Sequence, residues 1–157
     1  PGIGSTFVIT LPFEEAEERD ISSETKPERN SVQGIKILLA EDNELNREVA
    51  QILLEEAGAV VTTVSNGREA VKLFSRHPEG TFDVVLMDIM MPLMNGYEAT
   101  RQIRKLDRPD ATSIPIIALT ANAFAEDVRH ALDCGMNAHL AKPLDVEKMI
   151  HTIALYL

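Results

Sequence analysis

The chain lacks a second cysteine. Cys134 stands alone among 157 residues, which excludes an internal disulfide and fits a reducing compartment. It is short of basic residues, with 15 Lys and Arg against 25 Asp and Glu and a formal net charge of −10. Phosphate backbones attract basic patches, so this balance argues against a nucleic-acid surface. Long apolar runs are missing too; the longest span a few residues, far short of a membrane helix, and predict no direct membrane contact. No basic, then apolar, then small-residue pattern of a signal peptide opens the sequence. Internal repeats and low-complexity tracts are absent, and His77, His130 and His151 show no spacing that builds a metal site. The expectation is a cytosolic setting, with anchoring of a longer parent chain in an inner membrane left open.

What is present reads as an ordinary soluble domain with an appendage: 45% hydrophobic and 25% charged residues over a length that can bury a sizeable core. The composition changes near Gly34. Residues 14–33 carry Glu14, Glu15, Glu17, Glu18, Asp20, Glu24 and Glu28 against Arg19, Lys26 and Arg29, with Pro27 breaking any helix. This predicts an acidic linker that self-repels and stays extended. Ahead of it, residues 1–13 contain Gly2-Ile3-Gly4-Ser5-Thr6-Phe7-Val8-Ile9-Thr10-Leu11-Pro12, which reads as one strand bounded by glycines and a proline. Residues 34–157 form the second unit.

In that unit strand and helix patterns alternate five times. Leu45, Val49, Ile52, Leu53 and Ala57 follow helical spacing before Gly58, and Val60 to Val64 reads as a strand. Ala70, Leu73 and Phe74 mark a second helix, Ala99, Ile103 and Leu106 a third, and Phe124, Val128, Ala131 and Leu132 a fourth closed by Gly135. Val146, Met149, Ile150, Ile153, Ala154 and Leu157 form the last stripe, with Asp145 placed to cap it. Cys134 is expected to pack near the end of the fourth helix as a small apolar group. Such alternation implies a doubly wound α/β domain, a parallel sheet with helices on both faces.

Four apolar runs end in reactive side chains. Ile35 to Ala40 runs into Glu41-Asp42, Asp83 to Met87 into Asp88, Pro115 to Leu119 into Thr120, and Ala138 to Ala141 into Lys142-Pro143. If these are parallel strands, their carboxyl ends share one edge, where open α/β sheets bind ligands. Three acids, a hydroxyl and a lysine converging there suit a divalent cation and a phosphoryl group. Asp88 is then the acceptor, because aspartate forms acyl phosphates when the phosphoryl group is electrostatically activated. Glu41 and Asp42 help hold Mg²⁺ or Mn²⁺, and Lys142 needs counter-charge, for which Asp88 is the expected partner. Taken singly, Asp42 serves equally well as a helix cap, and Thr120 is more often a cap for the helix that follows. Lys142-Pro143 also allows a cis peptide.

The motifs Leu39-Ala40-Glu41-Asp42-Asn43 with Asn46, Met87-Asp88-Ile89-Met90-Met91-Pro92-Leu93-Met94-Asn95-Gly96, Leu119-Thr120-Ala121 and Leu140-Ala141-Lys142-Pro143 resemble the receiver domain of two-component response regulators. The resemblance implies a flavodoxin-like, five-stranded sheet of order 2-1-3-4-5 and Mg²⁺-dependent phosphotransfer from a phosphohistidine to Asp88. It also implies a metal contact from the Met90 backbone carbonyl and an inward switch of Thr120. The residue three before Lys142 is often Tyr or Phe in that family; here it is His139, which puts the aromatic part of the switch in doubt. Met90 stands where a polar side chain could orient an attacking water, so slow hydrolysis is expected, with lifetime control left partly to Asn122. The stretch from Gly2 resembles the last strand of a histidine-kinase ATP-binding domain, implying a hybrid sensor kinase as parent and a histidine-phosphotransfer protein as further partner. The fragment itself is no independent kinase. A free-standing response regulator and a degenerate docking receiver remain alternatives. An aspartate-nucleophile phosphatase is disfavoured, because those enzymes carry a second Asp where this chain has Met90.

Overall fold

A computed structural model describes residues 32–121 and 125–157, with side chains described for 32–121 and from 128 onward. The proposed N-terminal strand, nearly all of the acidic linker, Asn122 and Phe124 lie outside the described residues. Among the described residues five strands and six helices follow one another: β1 (Lys36–Ala40), α1 (Glu44–Glu56), β2 (Val60–Val64), α2 (Gly67–Arg76), β3 (Val84–Asp88), α3 (Gly96–Arg104), α4 (Pro109–Ser113), β4 (Ile116–Thr120), α5 (Ala125–Asp133), β5 (Ala138–Ala141) and α6 (Val146–Tyr156). All strand pairings are parallel, in the order β2-β1-β3-β4-β5. This is the doubly wound arrangement expected from the alternation of strand and helix patterns.

Burial follows position in the sheet. Every residue of the central strands β3 and β4 is buried, whereas the edge strands β2 and β5 are each buried at a single residue. Successive side chains leave a strand on opposite faces, so the sheet feeds two apolar layers. Leu38, Ala40, Val85, Met87, Ile116 and Ala118 pack with Phe74 of α2, Ile103 of α3 and Ala131 of α5. Ile37, Leu39, Val84, Leu86, Ile117 and Leu119 pack on the other face with Ala50 and Leu54 of α1 and Met149 and Ile153 of α6.

Two features go beyond the pattern. The helix α1 forms where the spacing put it, but its buried seam is Ala50 and Leu54, while Leu45, Val49 and Ile52 are 68%, 46% and 49% exposed. The helix itself stands, because Asn43 caps it through the Asn46 N–H and burial needs only the Ala50 face. Secondly, a short helix, α4, lies between α3 and β4. Its signal is Pro109 in the first turn after Arg108, with Ala111 as the single buried residue.

Arg108 ties this insertion down. Its guanidinium holds Asp110 at 2.5 and 2.7 Å, donates to the carbonyls of Phe74 and His77, and lies over the Phe74 ring at 4.5 Å. Cys134 is buried near the end of α5, as expected, with burial pushing its thiol pKa up. The Lys142-Pro143 peptide is cis.

Candidate functional site

The site follows from where the strands stop. Parallel register brings Asp88 beside Leu119 and Thr120 beside Ala141, so β3, β4 and β5 end at one level. Lys142 comes one residue later, its N–H donating to the Thr120 carbonyl at 2.8 Å. On the other side of β3, Glu41 follows β1 and is held by its N–H to the Val64 carbonyl at 3.2 Å. The carboxyl edge of the sheet thereby gathers Glu41, Asp42, Asp88, Thr120 and Lys142.

Glu41, Asp88 and Thr120 are buried, Lys142 is partly so, and Asp42 is exposed. The Lys142 ammonium donates to Asp88 Oδ2 at 2.7 Å and lies 2.5 Å from Glu41 Oε2. That second contact is an ion pair without hydrogen-bond geometry, and Oε2 accepts no hydrogen bond from any described group. Asp88 Oδ1 accepts the Met90 N–H at 3.2 Å, and Glu41 Oε1 accepts from Asn46 Nδ2 at 3.3 Å. Burial holds the Asp88 carboxyl above the usual carboxylate range against the lowering effect of Lys142, with Glu41 adding like-charge repulsion. Burial alone would lower the Lys142 ammonium, but its hydrogen bond to Asp88 and the charges of Asp88 and Glu41 prevail and raise it.

Carboxylate oxygens of Glu41, Asp42 and Asp88 all lie within 4.8 Å of one another. One lysine cannot offset three such charges, and one buried oxygen has only an ion-pair contact. An all-oxygen donor set with an exposed member fits Mg²⁺, which keeps several waters.

The remaining candidates sit around this group. Met90 presents a side chain 75% exposed two residues past Asp88. His139 is half-buried on β5, opposite Ala118 and on the strand face away from Leu140. Two contributors escaped sequence reading. A Cβ at Gly96 would lie 2.2 Å from the Asp88 carbonyl oxygen, so α3 can begin there only with glycine. Arg47 reaches back from α1 to the carbonyls of Glu41 and Asp42; a cation in the first turn of a helix was the available signal.

Residues 37–154 match the family model of the response regulator receiver domain. The chain belongs to that family. Among curated relatives, "Histidine kinase 1" of Arabidopsis thaliana is 37% identical over 155 residues, covering 80% of this chain and 13% of its own length. The "Autoinducer 2 sensor kinase/phosphatase LuxQ" of Vibrio vulnificus is 34% identical over 148 residues, covering 93% of this chain and 17% of its own. The receiver thus spans less than a fifth of these relatives' length.

Among solved structures, the receiver domain of the sensor histidine kinase PA1611 of Pseudomonas aeruginosa PAO1 aligns with TM-score 0.70 and 39% identity, covering 78% of this chain and 97% of that one. Its crystals carried magnesium coordinated in the active site cleft. The receiver domain of Ssk1 from Saccharomyces cerevisiae, co-crystallised with the histidine phosphotransfer signaling protein Ypd1, aligns with TM-score 0.69 and 28% identity over 80% of this chain and 90% of that one. Both support the receiver fold at this identity, and the family model covers all the site residues found here.

Proposed function

We propose that this receiver takes a phosphoryl group from a phosphohistidine onto Asp88 and passes it on to a histidine-phosphotransfer protein or answers it with a change of conformation. The observation that carries the reading is the Lys142 ammonium shared between Asp88 and Glu41, at the rim where three carboxylates meet. An Asp88 oxygen bonds to phosphorus as the P–N bond to the donor breaks, and the bond pair stays on the imidazole nitrogen. Lys142 holds the acceptor in place and faces the incoming negative charge. Bound Mg²⁺, held by Glu41, Asp42, Asp88 and the Met90 carbonyl, would supply the positive charge that lets anionic acceptor and anionic donor approach. Thr120 sits one strand from Asp88 and serves the phosphorylated state by donating its hydroxyl to a phosphoryl oxygen; His139, on the next strand, completes the switch face.

Similarity to hybrid-type kinases supports a parent chain of that kind, with residues 1–13 as the end of a kinase ATP-binding domain and 14–33 as the tether. On that reading the donor is a histidine of the same parent or of a partner, and the parent, not this domain, is the kinase. The test is incubation with acetyl phosphate and Mg²⁺ followed by intact mass. One phosphoryl addition is expected on the wild type, with none after Asp88→Asn or chelation. Addition that persists in Asp88→Asn would sink the assignment.

A further inference from the structure

Arg47 occupies the first turn of α1, where unpaired N–H groups make the helix end electropositive and a cation is disfavoured. Its guanidinium turns back over that end. Nη1 donates to the carbonyl of Glu41 at 2.8 Å and to that of Asp42 at 3.3 Å. These carbonyls belong to the two acids at the head of the pocket, just past the end of β1. The Val64 carbonyl still anchors the N–H of Glu41, so Arg47 supplies the hold on the opposite side of the same peptide segment. The neighbouring Asn46 bonds the Glu41 carboxylate itself, and its own N–H is fixed by Asn43. The first turn of α1 therefore grips the acid pair at both side chain and backbone.

We propose that Arg47 is a positioning residue for the metal pocket, setting the turn that aims Glu41 and Asp42. The inference rests on the reading of this pocket as a Mg²⁺-dependent phosphoacceptor site. Two effects of the guanidinium have opposite signs. Its charge repels a divalent cation, and its hydrogen bonds pre-set the ligands that receive one. Asp42 is exposed, so water screens the repulsion, while the hydrogen bonds to carbonyls are short-range and keep their strength. The structural effect wins, and loss of Arg47 weakens metal binding. A pure charge effect would strengthen it.

The experiment compares the wild-type chain with Arg47→Met and Arg47→Lys by calorimetric Mg²⁺ titration, melting midpoint and metal-free amide hydrogen exchange. Arg47→Met is expected to weaken Mg²⁺ about tenfold, the usual scale for losing an outer support of metal ligands. Its midpoint should stay within a few degrees, and amides 41–43 should exchange faster. Unchanged or tighter Mg²⁺ binding would overturn the proposal. Arg47→Lys keeps the charge but has a shorter reach to the two carbonyls, so it is expected to remain weak; wild-type affinity in this variant would also overturn it. If Arg47→Met does not fold, the lysine variant carries the comparison with the same criterion. The parent reading is judged separately, by phosphorylation of the wild type. A wild type that is labelled on Asp88 beside an Arg47→Met of normal affinity defeats only the role of Arg47.

Discussion

Asp88 sits where water scarcely reaches it, and its carboxyl is held by one ammonium and one backbone N–H. On the proposed reading, the same enclosure would govern how long a phosphoryl group stays there. Met90 is the exposed side chain two residues past the acceptor, and a thioether has no strong hydrogen bond with which to orient an attacking water. Met90→Asn is expected to speed loss of the label severalfold, read as decay of the phosphorylated mass after donor removal; an unchanged half-life rejects the idea. Asp88, Thr120 and Lys142 were legible in the sequence because each ends an apolar run, and a polar group there has one rim to occupy. Gly96 and Arg47 were not, because their roles arise from backbone approach across a turn, which no periodicity records. Asn122, expected to share lifetime control, lies outside the described residues.

At the scale of elements, α1 shows where pattern and packing part. Leu45, Val49, Ile52 and Leu53 cluster in sequence, yet the helix buries the narrower Ala50 and Leu54 seam and leaves an apolar stripe outside. Both faces of this helix are apolar, so spacing alone could not say which one meets the sheet. The stripe begins at Leu45, three residues past Asp42; under the proposed function, a phosphohistidine-bearing partner seated on it would bring its reactive group to the pocket. Ile52→Asp is expected to slow transfer from a protein donor at least tenfold while labelling by acetyl phosphate stays normal; equal slowing of both would reject the seat.

The clamp between α2 and α4 is a separate unit. The Arg108 hydrogen bonds hold the Asp110 carboxyl below the usual carboxylate range. A lowered folded-state pKa means stability that is present above the unfolded carboxylate range and lost as pH falls through the folded value. Asp110→Asn should therefore cost about 1 kcal/mol near neutrality, with the gap to wild type closing as pH drops through the acidic range. Denaturant melts at several pH values measure it, and a gap constant with pH would contradict the charge-based account. The α4 insertion was missed because five residues carry too little periodicity to stand out.

For the molecule as a whole, metal binding and folding are one linked equilibrium. A ligand at a hundred times its dissociation constant adds about 2.7 kcal/mol to the folded state. Mg²⁺ should accordingly raise the melting midpoint by several degrees, and Asp42→Asn should lose most of that rise while melting normally without metal. An identical rise in both proteins would place the ion elsewhere. The five-stranded architecture was legible because central strands buried on both faces read as short unbroken apolar runs.

Val32, ahead of β1, is fully buried among the residues at the amino ends of the strands, and the Tyr156 hydroxyl near the end of α6 bonds the Asn137 carbonyl just before β5. Val32 and the Tyr156 contact thus lie at the pole opposite the acids, about 17 Å away across a five-residue strand. On the proposed hybrid-kinase reading, a histidine carried upstream on the same chain would have to be brought around the body of the domain, which would make tether length a dial for choosing between a donor in cis and one supplied by a second molecule.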